Sequence, residues 1–450
     1  MITLEDYLKK DAELYPDKVA VICGGEKITY RQLMDKVGSR AASLSEEFQP
    51  DFRPFSSDKP LFPFRTSHTI DFLVNYFAIH LLGGVAVPLG RDLPNELFEK
   101  MHRKLKACIV PNGTADVLFT TGTTGQSKGV VISHDTIVAN AENLIKAQGY
   151  HHELTFIVTG PLNHIGSLSK IFPVILTGGT LHLIDGMKNP NAFFEAMDGA
   201  DDSSRFATFL VPASIRMLLA FSENRLAHYS DKLEFIETGA APITQTDMER
   251  LCHVLPKSRL FNTYASTETG IVATYDFNHG ECLPGCLGEP MCHSQIFVTH
   301  EGLIACAGRT VMTGYLNEKD LTCSVLEDGI VRTSDVGMID SKRRLHLMGR
   351  EDDVINVGGY KVQPEEVENA ALSLPMIKDC VCISSEHRVL GTVLKMLLVL
   401  NAGAELDKKA IAHALREKLE SYKVPMQYEQ VESVNRTYNG KIDRKSYRNR

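Results

Sequence analysis

Residues 120–129 read TTGTTGQSKG and lie between two short apolar runs, VLF at 117–119 and VVI at 130–132. This layout predicts a strand, a polar loop and a second strand. The glycines, the hydroxyl side chains and Lys128 would let such a loop wrap a polyphosphate with backbone amides, hydroxyls and one ammonium group. The spacing differs from the Walker pattern G-x-x-x-x-G-K-[ST]. Taken alone, the stretch is also compatible with a solvated Gly/Thr turn.

The composition is that of an ordinary globular protein with more than one domain. The chain has 450 residues, of which 43% are hydrophobic and 23% charged. Its net charge of −8, without a long basic block, disfavours nucleic acid or an anionic membrane as the main partner. The N-terminus is charged throughout and has no apolar signal region, so we expect a cytoplasmic protein. The apolar stretch 72–89 contains Asn75 and His80, which favours a buried helix and strand over a membrane span.

The ten cysteines are scattered, and reduced thiols are the expected state in the cytosol. One cluster has two interpretations, a zinc site or unrelated neighbours: Cys282, Cys286, Cys292 and His293. Because the cluster lacks the usual C-x₂-C pair, the zinc interpretation is the weaker one.

Local patterns predict the order of elements around the loop. Residues 1–49 fit a helix, a short hairpin and a second helix, and the proline-rich residues 50–65 fit a surface loop. A helix over 69–82 and a strand over 85–88 follow. Ser133 is a candidate N-cap for the helix after the polar loop, and Gly149 is a candidate C-terminal stop.

Six further stretches carry candidate functional residues after apolar segments. They read PLNHIGS at 161–167, FLVPAS at 209–214, TGAAP at 238–242, NTYASTETG at 262–270, RTSDVG at 332–337 and GREDDVINVGGYKV at 349–362. Each has an ordinary structural interpretation: a polar strand end, a turn, a capped helix start at 266–268 or a hairpin at 332–337. Near the C-terminus, NRTYNGKIDR at 435–444 presents Lys441 after an Asn-Gly turn.

These motifs occur in the order found in the adenylate-forming superfamily, which includes acyl-CoA synthetases, aryl-CoA ligases, luciferases and the adenylation domains of peptide synthetases. The chain resembles that superfamily over nearly its whole length. Four positions depart from the usual motifs: Ala265 and Ser334 replace glycines, Asn356 replaces a lysine, and Lys361 replaces an arginine and so lacks its guanidinium fork. The resemblance implies an α/β fold. A large N-terminal domain of layered mixed sheets and helices, 1–349, would precede a small mobile α+β domain, 350–450, with the hinge at Asp352.

The resemblance also implies a role for each candidate residue. The implied catalytic residues are Lys441, Glu268, Thr120 and Lys128. The implied ATP- and CoA-binding residues are Thr121, Gly122, Thr123, Thr124, Gly125, Gly239, Ala240, Ala241, Tyr264, Thr267, Asp335, Arg350, Gly358, Gly359 and Lys361. Tyr264 would offer a π face to adenine, and Glu268 a hard oxygen ligand to Mg²⁺. The implied acid-pocket residues are His164, Ile165, Ser214 and Ala265.

The implied activity is the ATP-dependent conversion of a carboxylic acid to acyl-AMP, followed by transfer to the thiol of CoA. The 161–167 turn lacks the aspartate that amino-acid-activating relatives use, which favours an acid without an α-amino group. Two alternatives remain open. One is loading of the phosphopantetheine of a carrier protein, and the other is a non-catalytic paralogue that binds nucleotide. The identity of the acid and the oligomeric state are not predicted.

Overall fold

The computed structural model describes residues 2–47, 59–121, 127–201, 203–357, 360–387, 391–437 and 441–447. Its first twelve strands are β1 Val19–Cys23, β2 Glu26–Thr29, β3 Leu61–Arg65, β4 Val85–Leu89, β5 Thr114–Thr121, β6 Ser127–Ser133, β7 Leu154–Val158, β8 Thr180–Leu183, β9 Arg205–Phe209, β10 Leu233–Thr238, β11 Arg259–Ser266 and β12 Gly270–Asp276. The others are β13 Cys286–Gly288, β14 Ser294–Val298, β15 Leu303–Gly308, β16 Gly314–Tyr315, β17 Leu326–Glu327, β18 Ile330–Ile339, β19 Leu345–Arg350, β20 Ile355–Val357, β21 Tyr360–Val362, β22 Ile377–His387, β23 Gly391–Leu400 and β24 Gln427–Gln430.

The described α-helices surround these strands. They are α1 Leu4–Leu14, α2 Tyr30–Glu47, α3 Ile70–Leu81, α4 Asn95–Leu105, α5 His134–Gln148, α6 Ile165–Leu168, α7 Ile171–Thr177, α8 Pro190–Glu195, α9 Pro212–Phe221, α10 Glu223–His228, α11 Gln245–Val254, α12 Lys319–Val325, α13 Pro364–Leu372 and α14 Lys408–Arg416. Short 3₁₀ turns cover Glu351–Asp353, Ser421–Lys423 and Arg444–Tyr447. No described helix is long and apolar enough to cross a membrane.

Three sheets precede residue 351. An eight-stranded sheet has the order β12-β11-β10-β9-β7-β8-β1-β2, and a five-stranded sheet has the order β16-β6-β5-β4-β3. The third has the order β13-β19-β18-β15-β14, with β17 paired to β18. The first two sheets contribute to one continuous hydrophobic core with the helices between them. The predicted layered α/β architecture is confirmed.

Helix α5 follows directly from the strand after the polar loop. Ser133 Oγ accepts a 3.0 Å hydrogen bond from the Thr136 amide, which confirms the predicted N-cap, a contact typically worth about 1 kcal/mol. Gly149 ends the helix at φ +74°, as predicted. Between these caps the helix buries Ile137, Ala141 and Leu144, so its position relative to the loop strands is fixed by core packing.

The prediction of a surface loop over 50–65 was wrong for its last five residues. Residues 61–65 form β3, which pairs in parallel with β4 from Leu61–Val85 to Arg65–Leu89. The prolines suggested a loop, but β3 is an edge strand, where Pro63 can lack an N–H donor without breaking a ladder on both sides. Residues 50–58 lie outside the described part of the chain.

The residues after 350 form two small sheets and their own cores. One sheet pairs β20 with β21, and the other has the order β22-β23-β24. Helices α13 and α14 pack on the larger sheet around a core that includes Val367, Met396 and Leu415. Asp407 caps α14 by accepting hydrogen bonds from two backbone amides.

Candidate functional site

The two strands around the polar loop pair as an antiparallel hairpin. The register runs through Thr120–Lys128 to Thr121–Ser127, so these residues form the base of the loop. The predicted phosphate ligands Gly122, Thr123, Thr124 and Gly125 lie outside the described residues, and the side chain of Thr121 is likewise not described.

Lys128 and Glu268 meet around the ring of Tyr315. Lys128 Nζ lies 5.4 Å from the ring centroid, within the range of a cation–π contact. The Tyr315 hydroxyl donates a 3.0 Å hydrogen bond to Glu268 Oε1. Tyr315 is brought there by β16, which pairs with β6 immediately beyond the polar loop. The predicted phosphate lysine and the predicted metal ligand therefore contact the same tyrosine, the lysine over its ring and the glutamate at its hydroxyl.

Glu268 lies at the tip of the β11–β12 hairpin and not at a helix start. The Thr269 amide donates to Ser266 Oγ at 3.0 Å, and the Ser266 amide donates to Thr269 Oγ1 at 3.2 Å. Thr267 and Glu268 are left half-buried between them. The alternative of a capped helix at 266–268 is wrong, because Gly270, at φ +72°, reverses the chain into β12.

Tyr264, Asp335 and Arg350 form a connected group across two sheets. The hydroxyl of the buried Tyr264 donates to Asp335 Oδ2 at 2.7 Å, and Arg350 Nε lies 3.2 Å from Asp335 Oδ1. Asp335 and Arg350 are direct cross-strand partners in β18 and β19. Arg350 also donates to Ser334 Oγ at 2.6 Å, so the serine that replaces the usual glycine supplies an acceptor to the arginine.

The segment after β10 has a constrained backbone. A Cβ atom at Gly239 would lie 2.8 Å from the Thr263 carbonyl oxygen, so a larger residue would displace the neighbouring strand. Ala240 adopts φ +66°, a left-handed conformation that is unfavourable for a residue with a Cβ atom, and it is exposed. Ala241 next to it is half-buried. The small residues Gly239, Ala240 and Ala241 therefore form an open surface beside β11, which carries Tyr264.

The predicted acid-pocket residues divide into two groups. His164 precedes α6 and Ile165 begins it, and α6 packs against β11, which carries Ala265. Burial lowers the pKa of His164 to about 4, with a further lowering by Lys441, so its imidazole is neutral at pH 7. Ser214 lies half-buried in the first turn of α9, and no described contact joins it to His164.

Lys441 extends from the C-terminal segment toward the residues just described. Desolvation lowers its pKa, while Asp335 and Glu268 raise it and Arg350 lowers it. Its own charge acts on His164, so it lies within electrostatic range of the acid-side and nucleotide-side residues alike. Lys441 itself is exposed to solvent.

An ion-pair network fixes the turn that follows Lys441. Arg444 makes a bidentate pair with the buried Glu368, with N–O distances of 2.7 and 2.8 Å. Arg444 Nε also lies 3.3 Å from Asp353 Oδ2, one residue after the predicted hinge at Asp352. Asp352 is exposed within the 3₁₀ turn.

Lys361 is the described residue of this region that is not brought into the cluster. Lys361 is exposed on β21, and no described contact joins it to the residues around Asp335. Gly358 and Gly359 lie outside the described residues.

Two residues of this site had no role in the sequence interpretation. Tyr315 was missed because it follows the polar loop by almost two hundred residues and reaches it only through the β16–β6 pairing. Arg444 lies within the quoted C-terminal motif, and its charge one turn after Lys441 was the available signal.

The candidate zinc cluster at 282–293 does not assemble. In the described part of the chain, its cysteines and histidine do not bring three ligand atoms together. Cys286 is buried whereas Cys292 is exposed. The group that does assemble is Glu5, His80 and His134, all buried under the N-terminal helix.

Two protein-family models match the chain. Residues 99–316 match the model of the AMP-binding enzyme family, and residues 366–441 match that of the AMP-binding enzyme C-terminal domain, together more than half of the chain. A Staphylococcus epidermidis protein named as a candidate long chain fatty acid–CoA ligase, VraA, is 23% identical over 100% of this chain and 99% of its own length. The 2-succinylbenzoate–CoA ligase of Staphylococcus aureus is 28% identical over 74% of this chain and 67% of its own.

Solved structures share the fold. The ATP-bound MatB of Rhodopseudomonas palustris superposes with a TM-score of 0.84 at 21% identity and covers 100% of this chain and 99% of its own. Given the two family matches, the chain belongs to the adenylate-forming superfamily, within its acyl-CoA synthetase family.

Proposed function

We propose that the protein is an AMP-forming acid–thiol ligase that activates a carboxylic acid with ATP and transfers the acyl group to CoA. The observation that carries this proposal is the convergence of Glu268, Asp335 and Arg350 with the ammonium of Lys441, which comes from the C-terminal segment. The electrostatic effect of these three groups on Lys441 supports a common site for a nucleotide and an acid. The names of the relatives, both CoA ligases, support the same reaction class.

In the first half-reaction a carboxylate oxygen of the acid attacks the α-phosphorus of ATP. The bond between the α-phosphorus and its bridging oxygen breaks, pyrophosphate leaves, and acyl-AMP forms. The acid is already ionised, so no general base is needed, and the protein contributes positioning and charge neutralisation. Lys441 would bridge the carboxylate and the α-phosphate, and a neutral His164 adds no competing charge on the acid side.

The nucleotide is assigned to the residues that surround this cleft. Thr120, Lys128 and the loop between β5 and β6 would hold the β- and γ-phosphates. Adenine would lie between the ring of Tyr264 and the surface formed by Gly239, Ala240 and Ala241. Asp335 would accept hydrogen bonds from the ribose hydroxyls. These roles are proposals that follow from the geometry and from the motif order.

A divalent cation fits the donor set. Glu268 Oε1 accepts from Tyr315, and a carboxylate keeps a second oxygen for a hard cation such as Mg²⁺, which prefers carboxylate and phosphate ligands. When bound, the ion neutralises charge on the triphosphate. Thr267, half-buried beside Glu268, would offer its hydroxyl to the same phosphates.

In the second half-reaction the CoA thiol attacks the acyl carbon of acyl-AMP and releases AMP. Here the C-terminal segment would rotate about Asp352 and remove Lys441 from the cleft, while the stretch containing Gly358, Gly359 and Lys361 approaches the thiol. Loading of a carrier-protein phosphopantetheine uses the same thiol chemistry and is the competing acceptor.

The test is pyrophosphate release with ATP, Mg²⁺ and a panel of acids, measured with and without CoA. The panel contains short, medium and long fatty acids, aryl acids, a succinyl-aryl acid and amino acids. We expect CoA-dependent turnover with one acid class and none with amino acids. Turnover only with a carrier protein would identify that protein, and not CoA, as the acyl acceptor. ATP binding without any acid-dependent release would contradict the proposed function and favour a non-catalytic nucleotide-binding protein.

A further inference from the structure

A buried ion pair joins the two segments that border the predicted acid pocket. Lys170 Nζ lies 2.7 Å from Glu237 Oε1, and both side chains are only 1% exposed. Lys170 stands between α6 and α7, in the segment that begins at His164. Glu237 is on β10, two residues before Gly239. Lys170 thus lies three residues after the 161–167 stretch, and Glu237 lies one residue before the 238–242 stretch.

The ring of Phe209 connects this pair to the pocket segments. Lys170 Nζ lies 5.3 Å from the ring centroid. A Cβ atom built on Gly166 would lie 3.6 Å from the ring, and one built on Gly239 would lie 3.7 Å from it. Neither glycine carries a side chain, so the ring packs close to both segments that are predicted to border the acid, with the ammonium of Lys170 beside it.

The pair has unused hydrogen-bonding capacity. Glu237 Oε2 is buried and receives no hydrogen bond from a described residue. The same holds for three neighbouring hydroxyls on the segments around the pair: Ser169 Oγ, Thr238 Oγ1 and Tyr150 OH. An unpaired buried polar atom typically costs about 1–3 kcal/mol. A buried ion pair is also weak evidence for a purely stabilising role, because an apolar pair of similar volume is often as stable.

The chemistry of the pair selects among distal groups of a substrate. A second carboxylate would face Glu237, and an ammonium would face Lys170, so either would add an unbalanced charge to a dry site. A carbonyl could accept from Lys170 but would give nothing to Glu237 Oε2. A hydroxyl is neutral, donates to Glu237 Oε2 and accepts from the ammonium of Lys170.

We propose that Lys170 and Glu237 determine acid specificity, and that the substrate is a hydroxylated carboxylic acid whose distal hydroxyl donates to Glu237 Oε2. This inference rests on the proposed ligase function and adds the substrate class. The hydroxyl would complete the hydrogen bonds of the pair, whereas the parent acid would leave them unmade. Sites built to bind a hydroxyl reject the analogue that lacks it far more strongly than apolar pockets reject an added methylene.

The experiment compares matched acids in the full-length protein with ATP, Mg²⁺ and CoA. One series pairs para-hydroxybenzoate with benzoate, and the other pairs ω-hydroxy fatty acids with fatty acids of the same chain length. The ω-dicarboxylic and ω-amino acids of that length complete the panel. We expect kcat/KM for the hydroxy acid to exceed that of its parent by about 10- to 1,000-fold in one series.

Variants test whether the pair causes the preference. In Lys170→Met with Glu237→Leu, both charges are removed together, so no unpaired charge remains buried. The ratio of kcat/KM for the hydroxy acid to kcat/KM for its parent acid should fall to about one, because the rate with the hydroxy acid decreases. Lys257→Met is the matched control, because Lys257 pairs with Asp231 at 2.6 Å on the surface, and its preference should equal that of the wild type. Circular dichroism confirms that each variant is folded.

Three results would overturn the inference while leaving the ligase function intact. They are a wild-type preference near or below one-fold in both series, a preference for the dicarboxylic or amino acid, and an unchanged preference in the folded double variant. Absence of turnover with every acid would instead contradict the proposed function itself.

Discussion

The hydroxyl of Tyr264 donates a 2.7 Å hydrogen bond to Asp335 Oδ2 and so joins the eight-stranded sheet to the sheet that ends at Arg350. Asp335 has its other oxygen 3.2 Å from Arg350 Nε. The acid is therefore oriented from two sides before any nucleotide binds. Pre-orientation of this kind reduces the entropy lost when a ligand is bound.

Tyr264→Phe removes this bond and keeps the aromatic ring. We expect KM for ATP to rise about 10- to 100-fold with a small effect on kcat, since one hydrogen bond to a charged group contributes about 1.5–3 kcal/mol. ATP-dependent pyrophosphate release measures both constants. Tyr229→Phe is the control, because Tyr229 bonds to Asp198 away from the site. An unchanged KM for ATP in Tyr264→Phe would mean that Asp335 is held by Arg350 alone.

Lys441→Ala should separate the two half-reactions. Adenylation should fall by about 100-fold or more, because removal of a preorganised charge from a transition state typically costs that much. Formation of the thioester from supplied acyl-AMP and CoA should persist, since Lys441 acts only in the first half. The first step is followed by pyrophosphate release and the second by loss of free thiol. Equal loss in both assays would contradict the assignment of Lys441 to adenylation.

Asp352→Pro should have the opposite effect. Proline restricts φ at the turn between β19 and β20 and so opposes rotation of the C-terminal segment. We expect near-normal adenylation and at least about a 10-fold loss of thioester formation. Asp328→Pro is unsuitable as a control, because Asp328 has φ +50°, which proline cannot adopt. Glu351→Ala is the control instead, because it changes a neighbouring exposed side chain without restricting the backbone. A parallel loss of both steps would contradict a two-conformation cycle.

Gly270→Ala should destabilise the protein through a close backbone approach. A Cβ atom there would lie 2.5 Å from the Thr310 carbonyl oxygen and 2.7 Å from Asn140 Oδ1, with φ at +72°. Gly83 has nearly the same φ, +75°, but open space around the Cβ position. We expect Gly83→Ala to cost about 1 kcal/mol from the backbone alone and Gly270→Ala to cost at least about 2 kcal/mol more. Urea denaturation measures the difference, and similar losses in the two variants would contradict the steric argument.

Stability should fall at high pH because of His80. This residue is fully buried, with Nδ1 2.7 Å from Glu5 Oε1 and Nε2 2.9 Å from Asp116 Oδ1. Desolvation lowers its pKa, but the two carboxylates outweigh that effect and raise the pKa to about 10. The native state therefore holds a proton that the unfolded chain releases near pH 6.5, so this stabilisation is full below pH 6.5 and is lost as the pH rises toward 10.

Other groups around His80 act at lower pH. Tyr76 donates a hydrogen bond to Asp116. Burial and the charge of His80 lower the pKa of His134 to about 4. A lowered histidine pKa removes stability as the pH falls from 6.5 toward 4, which is separate from the alkaline window.

His80→Gln should flatten the alkaline loss of stability and lower the free energy of unfolding at pH 7 by about 3–5 kcal/mol, since Glu5 and Asp116 lose their buried cation. Urea denaturation between pH 6 and pH 9 tests both effects. His253→Gln, an exposed histidine, is the control and should reproduce the wild-type profile. The same alkaline slope in His80→Gln as in the wild type would contradict the assignment.

Local signals predicted the parts of the fold that depend on neighbouring residues. The strands around the polar loop, the caps at Ser133 and Gly149 and the helix after Asp407 are all set within a few positions of sequence, and the structure has each of them. The motif order predicted which segments meet at the cleft, because the superfamily resemblance carries topology as well as residues.

Features that depend on distant pairing could not be predicted in the same way. Tyr315 reaches Glu268 only because β16 joins β6, and Lys170 contacts Glu237 only because the fold brings the segment between α6 and α7 to β10. The hairpin at Ser266 was compatible with a helix start, since Ser and Thr cap both structures. Burial of a lysine inside an apolar segment leaves no periodic signal from which its partner could be inferred.

The bidentate contact between Arg444 and Glu368, extended to Asp353, has a mechanical consequence for the proposed cycle. The contact fixes the turn after Lys441 to Asp353, which is next to Asp352. The proposed hinge at Asp352 and the segment that carries Lys441 therefore belong to one rigid body. A rotation at Asp352 would then move the Lys441 ammonium by a distance proportional to the separation between the two residues. A modest rotation would be enough to carry a single positive charge into the cleft or out of it.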